Sequence, residues 1–412
     1  MRSGSAAFGV GGGMTSVARL TSYSDRSCSP HETLARITPS LSKYGITRLA
    51  RLTGLDRIGI PVWNAIAPNS RSIVINQGKG IDDIDAKVSA AMEALERAIG
   101  GNPQIDVRRA SRRQLESEGS FAEPLDCLIL AGQSDVHPEE ILGWVRGYDI
   151  IAERHVWVPY EAILLDDTKS NRFWQSSDGL ASGNIRVEAT FHGLLERIER
   201  DADVLWQFAS IAEKSRNCIE INSFRDPVLS SLAQRVRDAG FRLQMFNRTS
   251  DIGVPCFEAF IAPDVPSGGE MRYIEVTHGA GAHPNPGRAA IRAVTEAAQS
   301  RLTYISGARD DIHPETFARP LPAHLREVLF IEPTHDAHAL DTTLGGTIHD
   351  MLRGVIGRLM AVGITSAIAV DMNAGEEDFS VVKMLLPQLE NLDGRRKRRF
   401  GPRALKRILR SR

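Results

Sequence analysis

The sequence predicts an α+β fold, and three observations carry that expectation. Three long segments show helical periodicity, short apolar runs of strand character lie around them, and the two kinds do not alternate in a regular βαβ beat. The 412 residues are 42% hydrophobic and 25% charged, ordinary globular usage and enough to bury a large core. No run approaches the roughly 18 to 20 apolar residues that a bilayer span needs, and the start MRSGSAAFGVGGGM has no hydrophobic signal core. A folded cytoplasmic protein with no membrane association is expected.

Residues 1–20 are Gly- and Ser-rich without hydrophobic period and read as a flexible tail ahead of a main domain over 21–390. The runs IGIPVWNAI and SIVINQ flank the turn-like PNSR and predict a hairpin between Arg57 and Gln77. A helix follows over Asp82 to Ile99, where Ile84, Val88, Met92, Leu95 and Ile99 recur at helical spacing. Between Asp126 and Asp166 the apolar runs lack helical period and read as strands and loops. A second strong helix spans Ile185 to Asp203. CIEINSF, FRLQMFN and VPCFEAFIA read as strands, with a helix over Pro227 to Ala239 between the first two. HGAGAHPNPG reads as a loop into the third strong helix, Arg288 to Tyr304. A helix over Ile348 to Val362 and strands at SAIAVDM and SVVKMLL follow. The basic tail, 391–412, is almost free of acids, so the net charge of -1 hides a mildly acidic body. The tail is expected to be an exposed arm for an acidic peptide or partner.

Cys28, Cys127, Cys218 and Cys256 are scattered without zinc-site spacing, and Cys256 sits in an apolar strand where a small core residue fits. The chemistry lies elsewhere. Beside the apolar stripe of the first helix run Ser89, Glu93, Glu96 and Arg97, one position later and therefore at the edge of the core. The second helix repeats the offset with Glu188, His192, Glu196, Glu199 and Arg200, and the third with Arg288, Arg292, Thr295, Glu296 and Gln299. Such acids are read either as solvated surface paired with neighbouring arginines, or as the wall of a cation site. Glu188, Glu196 and Glu199 share a face with no Lys at i+4, which costs a few tenths of a kcal/mol per like-charge pair. Magnesium suits such a set because it takes one or two carboxylates plus waters and phosphate oxygens, and the arginines suit phosphate. Ser182 and Asn184 stand at the start of the second helix, as caps or as anion donors. NQGKGID is not a Walker A loop, and Lys79 within it is either a phosphate ligand or an exposed turn lysine.

The segments SAAMEALER, GLASGNIRVEATFHGLLERIERDA and IRAVTEAAQSRL resemble, in order, the three signature blocks of the YcaO family, with a looser match from Ile58 to Glu390. The resemblance implies a YcaO-type fold, ATP and Mg as cofactors, and activation of a peptide backbone amide. It implies metal ligation by Glu93, Glu96, Glu188, Glu196, Glu199 and Glu296, and nucleotide binding by Ser89, Arg97, Ser182, Asn184, Arg200, Arg292, Gln299 and Arg301, to which Lys79 is added from its place in the turn before Ser89. No residue is assigned to proton transfer. The chain departs from the pattern at His192, where members often carry Gln, and at its end, which lacks the PxPxP tail of many azoline-forming members.

In that family ATP phosphorylates the amide oxygen after a nucleophile has added to the carbonyl. A neighbouring Cys, Ser or Thr yields an azoline and external sulfide yields a thioamide. The absent proline tail, and the likeness of GIPVWNAIAPNSRSIVINQGKG and VVKMLLPQLE to members that work with TfuA, favour thioamidation of a ribosomal precursor peptide. The partner expected is TfuA-like or E1-like, nucleic acid is not expected, and a homodimer is left open. Cyclodehydration is the alternative, and a non-catalytic peptide-binding YcaO-like protein a second.

Overall fold

The computed structural model describes residues 23–264, 271–337, 340, 344–373, 378–392 and 394–410, so the expected tail over 1–20 lies outside the described residues. Helix α1 (Pro30–Lys43) starts from Ser29, whose hydroxyl forms a capping box with Glu32. The sequence reading assigns no element here, and Pro39 stands inside the helix. Strands β1 (Arg48–Arg51), β2 (Val62–Ile66) and β3 (Ile75–Lys79) form one antiparallel sheet, and β2 with β3 is the expected hairpin. Helix α2 (Asp83–Gly101) follows directly.

Next come β4 (Arg108–Ser111), α3 (Arg112–Ser117), β5 (Phe121–Ala122), β6 (Ile141–Asp149), β7 (Arg154–Pro159), β8 (Leu180–Gly183) and α4 (Arg186–Trp206). Helices α5 (Ile211–Arg216) and α6 (Pro227–Asp238) lead to an antiparallel sheet of β9 (Phe241–Asn247), β10 (Cys256–Pro263) and β11 (Thr277–Ala282), with β10 central. Helix α7 (Pro286–Ser306) follows, then α8 (Glu315–Ala318), α9 (Ala323–Leu329), α10 (Ile348–Ala361), β12 (Ile368–Asp371), β13 (Ser380–Leu385) and α11 (Pro402–Arg410). The largest sheet runs β5-β7-β6-β12-β13-β8, with β4 also on β6, and only its β5–β7 pair is parallel. The mixed architecture without a βαβ beat is the expected α+β class.

Two expected elements differ. CIEINSF is not a strand: Ile221–Phe224 forms a 3-10 turn, started by Glu220 accepting from the Asn222 N–H and ended by Arg225 at φ +52°. Conversely, HGAGA is not a loop but most of β11, paired with β10 from Cys256 opposite Ala282 to Ile261 opposite Thr277.

Three strand-to-helix units share one construction. A β-carbon on Gly78 of β3 would lie 2.0 Å from the Ala90 nitrogen of α2, and one on Gly279 of β11 would lie 2.2 Å from the Ala297 nitrogen of α7. Gly183 of β8 meets α4 in the same way. Each helix thus lies nearly backbone to backbone on its strand, which only glycine permits. This holds α2, α4 and α7 rigidly around a common space. Their other faces fill the core: Leu95 and Ile99 of α2, Leu194 and Ile198 of α4, and Val294 and Ala298 of α7 are buried.

The C-terminal segment is not the expected exposed arm. Arg396 is buried and donates to the carbonyls of Asn391, Leu392, Arg398, Arg399 and Cys127, with its guanidinium over the Trp174 ring. Glu390 caps α11 by accepting from the N–H groups of Gly401 and Ala404. Arg403 pairs with Asp201 and Asp251, and Arg407 with Glu213. Cations that read as a solvated run are consumed in docking the segment.

Candidate functional site

Helices α2, α4 and α7 bound a cavity of about 980 Å³. Lys79, Ser89, Glu93, Glu96, Arg97, Ser182, Glu188, His192, Glu196, Glu199, Arg200, Arg292, Glu296 and Gln299 all line it. Nearly the whole set read from the sequence therefore converges, because each polar stripe sits one residue from a buried stripe and is turned into the space between the helices. Asn184 lies behind the wall, accepting from the Thr33 hydroxyl at 2.8 Å and donating to Glu188 at 3.1 Å. Arg301 does not reach the cavity; it stacks on Phe241 and pairs with Asp56 at 3.3 Å. Its position on α7 places it on another face from Glu296 and Gln299.

The acids divide into two groups. Glu96 and Glu196 face each other across α2 and α4, and burial, with Glu196 and Glu93 alongside, pushes Glu96 well above the usual carboxylate range. Burial pushes Glu196 up to about 7, with Asp178 and Glu199 adding to the rise and Arg200 opposing it. Such a set stores like-charge repulsion that a cation relieves. Glu93 lies 3.3 Å from Arg97, and Arg200 bridges Glu196 and Glu199 at 3.5 Å each.

The second group is already compensated. Lys79, at the end of β3, reaches Glu296 at 2.5 Å, so it is a cavity residue rather than a solvated turn lysine. Burial would raise Glu296, but Lys79 and Arg200 hold it down at about 2. Glu188 accepts from the Ser27 N–H at 2.5 Å, the Asn184 N–H at 2.9 Å and Arg26 at 3.4 Å. Its carboxylate is tied into the wall while Arg26 stays in place. His192 is kept neutral, first by burial and then by Arg292, Arg26 and Lys79.

Several residues in and behind the cavity wall escaped the sequence reading. Asp178 pairs with Arg197 and Arg200, and its loop is pinned by Lys383, whose buried amine donates to the carbonyls of Ser176 and Asp178. Arg26 comes from a segment with no periodic pattern, and only its charge marked it. Gln77 lines the cavity from β3; its carbonyl accepts from Gln299, and its side chain pairs with Thr303.

These features fit a magnesium nucleotide. Among the described residues no three acids, histidines or cysteines are gathered closely enough to hold a metal by themselves. Magnesium is commonly held by one or two carboxylates, with waters and substrate phosphates completing its shell. Glu93, Glu96, Glu196 and Glu199 could supply the protein carboxylates, and Lys79, Arg97, Arg200 and Arg292 the phosphate contacts. Gln299 Oε1 is buried without a hydrogen-bond partner and could accept from a nucleotide donor.

Comparison with known proteins agrees with this geometry. The model of the YcaO cyclodehydratase family, described as binding ATP and Mg2+, matches residues 77–390. An uncharacterized protein in the tfuA 3′ region of Rhizobium leguminosarum bv. trifolii is 37% identical over 389 residues, covering 91% of each chain. An uncharacterized protein of Methanothermobacter thermautotrophicus is 32% identical, covering 88% of this chain and 94% of its own. Among solved structures, YcaO from Methanopyrus kandleri bound with AMPPCP and Mg2+ superposes with a TM-score of 0.67 at 25% identity, over 89% of this chain and 92% of that one. A heterocyclase in complex with substrate and cofactor has a TM-score of 0.74 at 21% identity; it shares the fold, and this chain spans 54% of its length. No helix among the described residues is long and apolar enough to cross a membrane. The chain belongs to the YcaO family of ATP- and Mg2+-binding cyclodehydratase-type proteins.

Proposed function

We propose that this protein uses Mg–ATP to O-phosphorylate a backbone amide of a ribosomally made precursor peptide, in the cytoplasm, and that sulfide is the nucleophile, so that the product is a thioamide. The observation that carries the reading is the convergence of carboxylates from α2 and α4 with Lys79, Arg97, Arg200 and Arg292 on one cavity. The bound metal would supply charge neutralisation at the transferred phosphoryl group, which is where phosphoryl transfer needs it. The chain's own part is to hold the polyphosphate with the cationic side chains of Lys79, Arg97, Arg200 and Arg292. The same cavity extends to Tyr23, Asp25, His283 and Arg288, giving room for a peptide beside a nucleotide.

The preference for sulfide rests on the Rhizobium relative, which lies in a tfuA 3′ region. A TfuA-type protein is the partner this reading expects. The test is co-expression of the protein with a TfuA-type partner and the short peptide genes flanking its coding sequence, followed by intact-mass spectrometry of the peptides. Replacement of one oxygen by sulfur, lost in Glu199→Gln, is the expected result. Loss of one water from the peptide would instead favour azoline formation. ATP turnover with no change in any peptide would overturn amide activation.

A further inference from the structure

On the side of α4 turned away from the cavity, Asp201 is 0% exposed. Its two oxygens accept from Nε and Nη2 of Arg403, each at 2.9 Å, and Oδ1 also accepts from the Glu390 N–H at 2.9 Å. Arg403 stands in the first turn of α11, and its Nη2 also reaches Asp251 at 2.6 Å. Glu390 closes the connection. Its carboxylate accepts from Gly401 at 2.7 Å and Ala404 at 2.9 Å, while its carbonyl accepts from Arg197 at 2.8 Å.

Arg197 and Asp201 are four residues apart and so share the rear of α4, one residue away from Glu196 and Arg200 on the cavity side. A forked guanidinium–carboxylate pair restrains rotation as well as distance, which a single ammonium contact does not. The same two turns of α4 that present Glu196, Glu199 and Arg200 to the cavity are therefore gripped from behind by α11.

We propose that Arg403 is a positioning residue for the nucleotide site: its forked pair with Asp201 sets the rotation of the C-terminal half of α4, and with it the aim of Glu196, Glu199 and Arg200. The inference rests on the reading of the cavity as the Mg–nucleotide site.

Removing Arg403 alone would leave a buried unpaired carboxylate and endanger the fold. The test therefore uses the double variant Asp201→Asn/Arg403→Met, which buries no uncompensated charge, together with the single variant Arg403→Lys. Melting temperature reports the fold, and calorimetry with Mg–AMPPCP reports the site. The double variant should melt near wild type yet bind about tenfold more weakly and need more Mg2+ to saturate, as expected when ligands are misplaced by about an ångström. Arg403→Lys, which keeps the charge but not the fork, should fall between the two. Wild-type affinity in both folded proteins would overturn the proposal. Glu199→Gln separates the two levels: if it also binds as wild type, the cavity reading falls and takes the clamp with it; if it loses binding while the clamp variants do not, only the clamp falls.

Discussion

Glu196 ties the site's electrostatics to the stability of the empty protein. Its folded pKa, about 7, lies above the ordinary 4.5, so the folded state holds this proton more tightly than the unfolded state does. Stability must then fall as pH rises from about 4.5 to about 7, and the deficit is complete above that window. Glutamine imitates the protonated form. Glu196→Gln should accordingly raise the melting temperature of the nucleotide-free protein at pH 8 and leave it nearly unchanged at pH 4, as read by calorimetric scans at both pH values. An equal shift at both would mean that the carboxylate is not penalised by its surroundings. At this scale the sequence was informative about Glu93, Glu96, Glu196 and Glu199, since a stripe one residue off an apolar stripe has to border the core. Arg301 was assigned by resemblance to a block, and its actual place follows from the local partners Asp56 and Phe241, which lie far off in sequence. Arg26 could not be found at all without the fold, because it meets Glu188 across 162 positions of chain.

The element that organises the site is the glycine-bearing strand beneath each helix. An added methyl at Gly279 has nowhere to go, since the nearest atoms are the backbone nitrogen of Ala297 at 2.2 Å and the carbonyl of Ala293 at 2.5 Å. Gly279→Ala should destabilise the protein by about 1–3 kcal/mol or more, the usual cost of overpacking, and denaturant unfolding would measure it. Gly54→Ala, which meets nothing within 4 Å, is the control and should be near neutral. Helix positions were legible because 3.6-residue periodicity is strong over long segments. The strand β11 was not, because THGAGA has no alternation and its extended form is dictated by β10 and α7 rather than by propensity. At α1 the capping box of Ser29 and Glu32 is legible in the sequence although no element is expected there.

Across the whole molecule, the C-terminal segment joins the two ends of the argument. A charge run predicts a solvated arm when its partners are distant in sequence, and here Arg396 reaches Cys127, Arg403 reaches Asp201 and Asp251, and Arg407 reaches Glu213. Deleting 395–412 should cost about 3–5 kcal/mol through the buried charge left on Asp201, seen as a lower melting temperature; an arm that merely reached for partners would leave it unchanged. The central claim is that three helices, each laid on its own strand, build one Mg–nucleotide site. Calorimetric titration of Mg–AMPPCP into the wild type and into Glu93→Gln, Glu199→Gln and Arg292→Gln, one variant per helix and each checked for an intact fold, tests it most directly. The account predicts binding by the wild type and a marked loss in all three variants, whereas three folded variants that bind as the wild type does would contradict it.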